Sequence, residues 1–223
     1  GLNMKKIIIS LLMAFMYFSA QAAITGAQND NEAAFFEGKK KIASWTFNAD
    51  GSIQAMGRPI TGEVKVYYAK GDKQRFVTYK LKDSVIEDGT YVWAYTSGEP
   101  AGEETFKDGR KEGVFKFLYK NGKVSYEGAY SKGRKDGVFK KYYEKGGLAE
   151  SATYKNGIME GELNLYFPSG AIKEKYNYLN NKRHGTYQQY FESGTIKMEG
   201  NYKNGLREGA FFKYFESGEE AGI

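Results

Sequence analysis

Glycine returns on a fixed beat. Gly89, Gly113, Gly137, Gly161, Gly185 and Gly209 are spaced 24 residues apart, and Gly98, Gly122, Gly146, Gly170, Gly194 and Gly218 follow nine residues behind them. A third set, Gly109, Gly133, Gly157 and Gly205, falls twenty residues into the copies, with Asn181 taking the place once. Asparagine comes next after glycine in tolerating a left-handed backbone. Self-similarity at one period over this many copies marks a repeat array, in which each unit covers its neighbours. Gly62 and Gly71 open an earlier copy, stretched to 27 residues by an insertion expected around Lys82 to Val85.

Between the glycines lie runs such as "VFKFLY", "TYQQYF" and "KVSYEGAY". They are aromatic and β-branched and alternate with period two, the pattern of half-buried strands. Two such runs joined at Asn121-Gly122 or Ser193-Gly194 predict a hairpin closed by a two-residue turn. The "GRKDG"-like segment is then the wider turn leading to the next copy.

A two-residue turn makes a register rule. Counting the leading glycine of a copy as position 0, positions that sum to 17 face each other. Position 17 is aromatic in Tyr79, Phe106, Tyr130, Tyr154, Tyr178 and Tyr202, so Tyr130 is expected over Gly113 and Tyr202 over Gly185. Likewise Phe115 faces Gly128, and Tyr187 faces Gly200. A ring laid on bare glycine backbone rescues glycine inside a sheet. Tyr119, Tyr143, Phe167, Phe191 and Phe215 join this face beside Val124, Leu148, Ile172 and Ile196. The other face carries Lys116, Glu127, Lys140, Asn164, Gln188 and Glu199 and is expected to be wet, with Lys116 paired to Glu127.

The expected fold is therefore all-β: an elongated antiparallel β-meander of tandem 24-residue hairpins over residues 62–223, about seven copies with the last incomplete. Residues 35–61 read as a degenerate capping repeat, with strand character at Trp45 to Phe47 and a turn at Asp50-Gly51. Residues 23–34 read as a flexible lead-in of small and polar residues.

Residues 1–22 read as a signal peptide with an upstream remnant, "GLN". From Met4, two lysines precede an apolar run of about a dozen residues, and Ala20-Gln21-Ala22 makes a small-x-small cleavage pattern. The run falls short of the roughly 20 apolar residues that span a bilayer. The sequence thus predicts export, either to the periplasm or to the outside and the cell surface. The chain has no cysteine, hence no disulfide and no thiolate ligand. Without Lys5 and Lys6 the net charge falls from +6 to +4, which argues against nucleic acid as partner, since its binders concentrate far more basic charge on one face.

The columns quoted in "GVFKKYYEKGG" and "GNYKNGLREG" resemble MORN repeats, in particular the bacterial variant of the YwqK-type antitoxin family. The resemblance covers Gly62 to Ile223. It implies an elongated antiparallel sheet and a binding or scaffolding role, toward membrane lipid, toward copies of itself or toward other proteins. The antitoxin likeness implies a toxin as partner.

No constellation in the chain converges on catalysis. The single histidine, His184, stands on a turn where other copies carry Glu112, Asp136, Glu160 and Glu208, with no second ligand and no nucleophile. Glu103, Glu127, Glu150, Glu174 and Glu199 recur at repeat spacing, which suits cross-strand pairing better than a glycosidase pair across a cleft. No phosphate-cradling glycine motif precedes a helix. The chain is therefore expected to be non-enzymatic and to need no cofactor or metal.

Two features point to recognition. Position 5 carries Tyr67, Tyr142, Tyr166, Tyr190 and Tyr214, expected as a tyrosine stripe on the wet face, whose flat bodies and polar tips suit partner contact or simple packing on neighbours. The wider turns carry Arg110-Lys111, Arg134-Lys135, Lys182-Arg183 and Arg207, a basic line that suits anionic surfaces or edge protection. The leading functional expectation is a protein–protein interaction or scaffold module, including self-association. The alternatives are binding of anionic membrane lipid or cell-envelope glycan, and an antitoxin-like or immunity-like inhibitor of a toxin.

Overall fold

The computed structural model describes residues 24–28, 31–70 and 73–222. The expected signal peptide with its remnant, and the turn at Gly71, lie outside the described residues. The chain divides into two compact units, residues 1–111 and 112–223, and the described residues of both are strands joined by turns.

The second unit is the more regular. It contains β11 (Gly113–Leu118), β12 (Val124–Ser131), β13 (Arg134–Lys135), β14 (Gly137–Tyr142), β15 (Leu148–Lys155), β16 (Ile158–Tyr166), β17 (Ile172–Leu179), β18 (Lys182–Tyr190), β19 (Ile196–Lys203), β20 (Leu206–Tyr214) and β21 (Glu220–Gly222). Successive strands pair antiparallel, as expected for tandem hairpins. The register rule holds at the base of each hairpin: Gly113 faces Tyr130, Gly137 faces Tyr154, Gly161 faces Tyr178 and Gly185 faces Tyr202. Phe115 faces Gly128, and Tyr187 faces Gly200.

The turns reverse their expected roles. At Asn121-Gly122 the Gly122 N–H donates to the Tyr119 carbonyl at 2.9 Å and the Tyr119 N–H to the Lys123 carbonyl at 2.8 Å. That encloses three residues, with Gly122 left-handed at φ +79° and Asn121 not. It is a type I turn with a following bulge, not the two-residue turn expected. The ladder then slips between Phe117 and Leu118, and equivalently before Tyr142, Tyr166, Tyr190 and Tyr214. The sum-17 rule therefore stops at position 4.

The two-residue turns sit at the other end, in the segment expected to be wide. Ser131 faces Arg134, and Lys132 and Gly133 between them have φ +50° and +81°. Two successive left-handed residues define the type I′ hairpin turn. Asn180-Asn181 does the same at +52° and +63°, which is how asparagine substitutes for the third glycine.

The glycines also have two separate reasons to exist. A Cβ on Gly113 would meet nothing within 4 Å although Tyr130 faces it, so no ring roofs it. Its φ of +72° is what requires glycine. Roofing occurs instead at Gly128 and Gly200, where a Cβ would lie 2.8 Å from the Phe139 ring and 2.7 Å from the Phe211 ring. The covering ring belongs to the next copy, so glycine joins one hairpin to its neighbour. Leu163 faces Tyr176 in the copy between, where ring and small partner have changed strands. Phe115, Phe139 and Tyr154 continue the row with ring centroids 5.5 and 5.1 Å apart.

The first unit contains β1 (Ile24–Gln28), β2 (Glu32–Glu37), β3 (Lys40–Phe47), β4 (Ile53–Gly57), β5 (Gly62–Lys70), β6 (Lys73–Lys82), β7 (Val85–Ile86), β8 (Gly89–Tyr95), β9 (Pro100–Lys107) and β10 (Arg110–Lys111). Within the segment expected as a flexible lead-in, residues 24–28 form a strand: β1 pairs antiparallel with β2 and parallel with β5. Gly26 allows this, since its bare backbone lies under Phe35 and Val66, where a Cβ would meet both at 3.0–3.1 Å. The sheet thus departs from a pure antiparallel meander, and β4, hairpinned to β3 through the Asp50-Gly51 turn, lies away from β5.

Ile60 in the connection back to β5 is buried, with its N–H on Ser84 Oγ at 2.9 Å, while Trp45 Nε1 donates to the Ser84 carbonyl at 3.0 Å. Asp83-Ser84 is an ordinary left-handed two-residue turn, so the insertion is not there. Two of the three extra residues are in the hairpin itself, where Gly62 faces Leu81 and Tyr79 faces Val64 rather than Gly62, and the third follows the turn, where five steps rather than four lead from Ser84 to Gly89.

Candidate interaction surface

The tyrosine stripe of the second unit lies on the wet face, but its hydroxyls are spoken for. Tyr142 donates to Glu127 at 2.6 Å and Tyr214 to Glu199 at 2.9 Å, each reaching position 14 of the preceding copy. Tyr166 meets Ser151 at that position at 3.4 Å. Where position 14 is Lys175, Tyr190 turns to Gln188 in its own strand, 2.8 Å away. All four are half-buried. Burial and then the Glu127 bond push the Tyr142 phenol up to about 12. The stripe is thus a lateral clasp between copies more than a set of projecting rings. Lys116 faces Glu127 in register as expected, but the Glu127 carboxylate takes the Tyr142 hydroxyl.

The basic line splits in two. At its second position the cations fold onto the aromatic face: Lys135 Nζ lies 4.9 Å from the Phe139 ring centroid and 4.6 Å from that of Tyr154. Arg183 covers Tyr176 at 4.3 Å and Tyr202 at 5.3 Å, and Arg207 covers Phe211 at 4.4 Å. Lys111 instead binds Glu104 at 2.8 Å. These four are therefore core lids, each placed by the β-turn that precedes it. Arg110, Arg134 and Lys182, one position earlier, have exposed side chains.

The acids that follow the cations have a structural task that the sequence reading missed. Glu112 accepts the Lys132 N–H at 2.7 Å, Asp136 that of Asn156 at 3.3 Å and Asp88 that of Asp108 at 2.7 Å. Each carboxylate satisfies an amide of the next left-handed turn. His184 occupies this slot once, and its Nδ1 is buried with no hydrogen-bond partner among the described residues.

The wet face also exposes apolar groups. Val114 is 73% and Val138 49% exposed, and they border a shallow cleft of about 390 Å³ with Glu127, Ala129, Asp136 and Lys140 at its sides and Gly128 and Gly137 in its floor. Position 1 is valine only in these two copies of the second unit and becomes Glu162, Thr186 and Ala210 later, a difference legible in the sequence.

Glu104 is the one buried acid among the described residues, 2% exposed. Burial works against its charge, but the Lys111 ammonium and bonds from Tyr79 Oη at 2.6 Å and Trp93 Nε1 at 2.9 Å prevail and hold its pKa below the usual carboxylate range. All of its partners are structural. No three His, Asp or Glu side chains gather as a metal site among the described residues.

This geometry meets a known pattern. Residues 111–132, 135–156, 159–180 and 183–204 each match the MORN repeat variant. The chain carries four tandem MORN variant repeats. Their starts are 24 residues apart, the period of the hairpins, and each match ends on the first left-handed residue of a two-residue turn, Lys132, Asn156, Asn180 or Asn204. No curated protein matches the chain.

Proposed function

We propose that the chain is an exported, non-enzymatic interaction module whose second unit holds another protein against its wet face. The observation that carries this reading is the Val114–Val138 cleft: two large apolar side chains stand exposed beside the charged Glu127, Asp136 and Lys140. Apolar surface rimmed by polar groups is what partner contacts bury. The MORN repeats support it, since such repeats generally serve protein or lipid binding. Export rests on the amino-terminal charge and apolar pattern alone.

Capture from native envelope extract with the tagged full chain tests this. A defined partner is expected with the parent protein and an about tenfold loss with Val114→Glu/Val138→Glu, at unchanged far-UV circular dichroism. Identical capture by both would reject the contact surface. A toxin among the captured proteins would give the narrower antitoxin reading.

A second reading, anionic lipid or envelope glycan, draws on the exposed Arg110, Arg134 and Lys182. It predicts salt-sensitive flotation with anionic vesicles, weakened by Arg134→Gln/Lys182→Gln. Equal flotation with neutral vesicles would reject it.

A further inference from the structure

Strand β4 (Ile53–Gly57) is hairpinned to β3. Among the described residues it pairs only with β3, and the bonds flanking that hairpin fix where its amides point. The Asn48 N–H donates to the Ser52 carbonyl at 3.0 Å and the Arg58 N–H to the Ile42 carbonyl at 2.9 Å. Bonded pairs in an antiparallel ladder recur at every second residue. Thr46 with Gln54 and Ser44 with Met56 are therefore the other bonded pairs. Ile53, Ala55 and Gly57 turn their N–H and C=O groups outward, away from β3.

An outer strand of this kind is usually protected by lysine, proline, a bulge or a covering loop. Ile53-Gln54-Ala55-Met56-Gly57 has neither charge nor proline, in a chain that is 27% charged. Gln54, Ala55 and Met56 are exposed, Met56 at 61%. The charges stand just outside the strand and carry opposite signs at its two ends, Asp50 before it and Arg58 after it. Arg58 is partly balanced by Glu37 at 3.2 Å.

We propose that this edge pairs antiparallel with the same edge of a second copy of the chain, about a two-fold axis through Ala55, so that two first units share one continuous sheet. Ala55 then faces Ala55 of the second copy, Gln54 faces its Met56, and Ile53 faces its Gly57. Three outward residues on each side give about six main-chain hydrogen bonds. The same register sets Arg58 opposite Ser52 of the second copy, with Asp50 of that copy two residues further along, within diagonal reach. This charge match occurs twice across the axis and is lost in a parallel pairing, which is why a second copy fits better than an unrelated strand. Such a contact is self-complementary and closes at two. It uses a surface separate from the Val114–Val138 cleft and does not depend on the reading of that cleft.

Sedimentation of the full chain over a concentration series, with hydrogen exchange on the same samples, is the test. Dimer should form with rising concentration, and amide protection of the Ile53–Gly57 peptide should rise with it. Ala55→Pro removes an outward N–H and no bond to β3, while Gln54→Lys/Met56→Lys sets lysines against each other across the axis and leaves every backbone group in place. Each should weaken dimerisation about tenfold or more at unchanged melting temperature, and the lysine variant decides if the proline variant misfolds. Val114→Glu/Val138→Glu should leave the dimer intact. A chain monomeric throughout, a dimer indifferent to the lysine variant, a dimer broken by the valine variant instead, or edge amides protected in the monomer would each overturn the proposal.

Discussion

The two units speak the same hairpin grammar and reach different degrees of closure. In the first, Phe35, Trp45, Val64, Val66, Val77, Tyr79 and Leu81 are all but inaccessible, and the sheet gains this from irregular pieces: a parallel strand over a bare glycine, a buried connection at Ile60 and an acid locked among aromatic donors. In the second, Phe115, Phe139, Ala152, Tyr187, Tyr202 and Phe211 are buried while Tyr126, Leu163, Tyr176 and Tyr178 are only half covered. A strict repeat supplies each copy with the same neighbours, which propagates a ladder but does not close a core. Closure needs a residue or strand that the repeat does not contain.

The sharpest test of that contrast is Glu104→Gln. It takes the charge from a buried site with three donors and should cost ~3 kcal/mol, read as lost exchange protection in residues 24–111. The folded pKa lies below the ordinary 4.5. The stabilisation is therefore complete above that value and disappears as pH falls through the folded one, so acid melting curves of parent and variant should converge.

Next in size, Gly128→Ala drives a methyl into the Phe139 ring and should cost ~1–3 kcal/mol, with the loss confined to the second unit. Gly113→Ala, where space is open, should cost ~1–2 kcal/mol through its left-handed φ alone; equal response of Phe139 to both, by aromatic NMR shifts, would show the two glycine roles to be one.

A smaller effect is expected at the ring-covering cations. Arg183→Gln should lose ~1 kcal/mol, and Lys182→Gln beside it nearly nothing, by thermal melts. If the two lose alike, the division of the basic line fails.

Smallest is Tyr142→Phe, ~0.5 kcal/mol at a half-exposed site. Because the Tyr142 phenol is raised to about 12, its contribution is present below the unfolded value of 10 and is lost as pH climbs to the folded one. The variant should show a flatter alkaline limb.

Much of the second unit could be read from residue spacing. Alternation fixed the faces, and the pairing of Phe115 with Gly128 followed from counting. The turn types were misassigned: Asp108-Gly109, Asn156-Gly157 and Asn204-Gly205 are dipeptides that favour two left-handed residues, whereas the Ser-Gly of several copies at the other end supplies only one, but Asn121-Gly122 at that same end blurs the distinction. Ring over glycine was the right device attached to the wrong glycine, because spacing within a hairpin cannot show which copy's ring arrives. The clasp from Tyr142 to Glu127 and the caps from Glu112 to Lys132 cross between strands whose side-chain reach depends on bulges, and bulges leave no mark on a period of 24. The parallel placement of β1 is less legible still, since it depends on tertiary packing over Gly26.

The contact surface is tested most directly by a photo-reactive residue placed at Val114 in the full chain, irradiated in the native cell envelope, with Lys173 as control position. One defined cross-linked protein from Val114 and none from Lys173 is the predicted result. No product from Val114, or the same products from both positions, would contradict it.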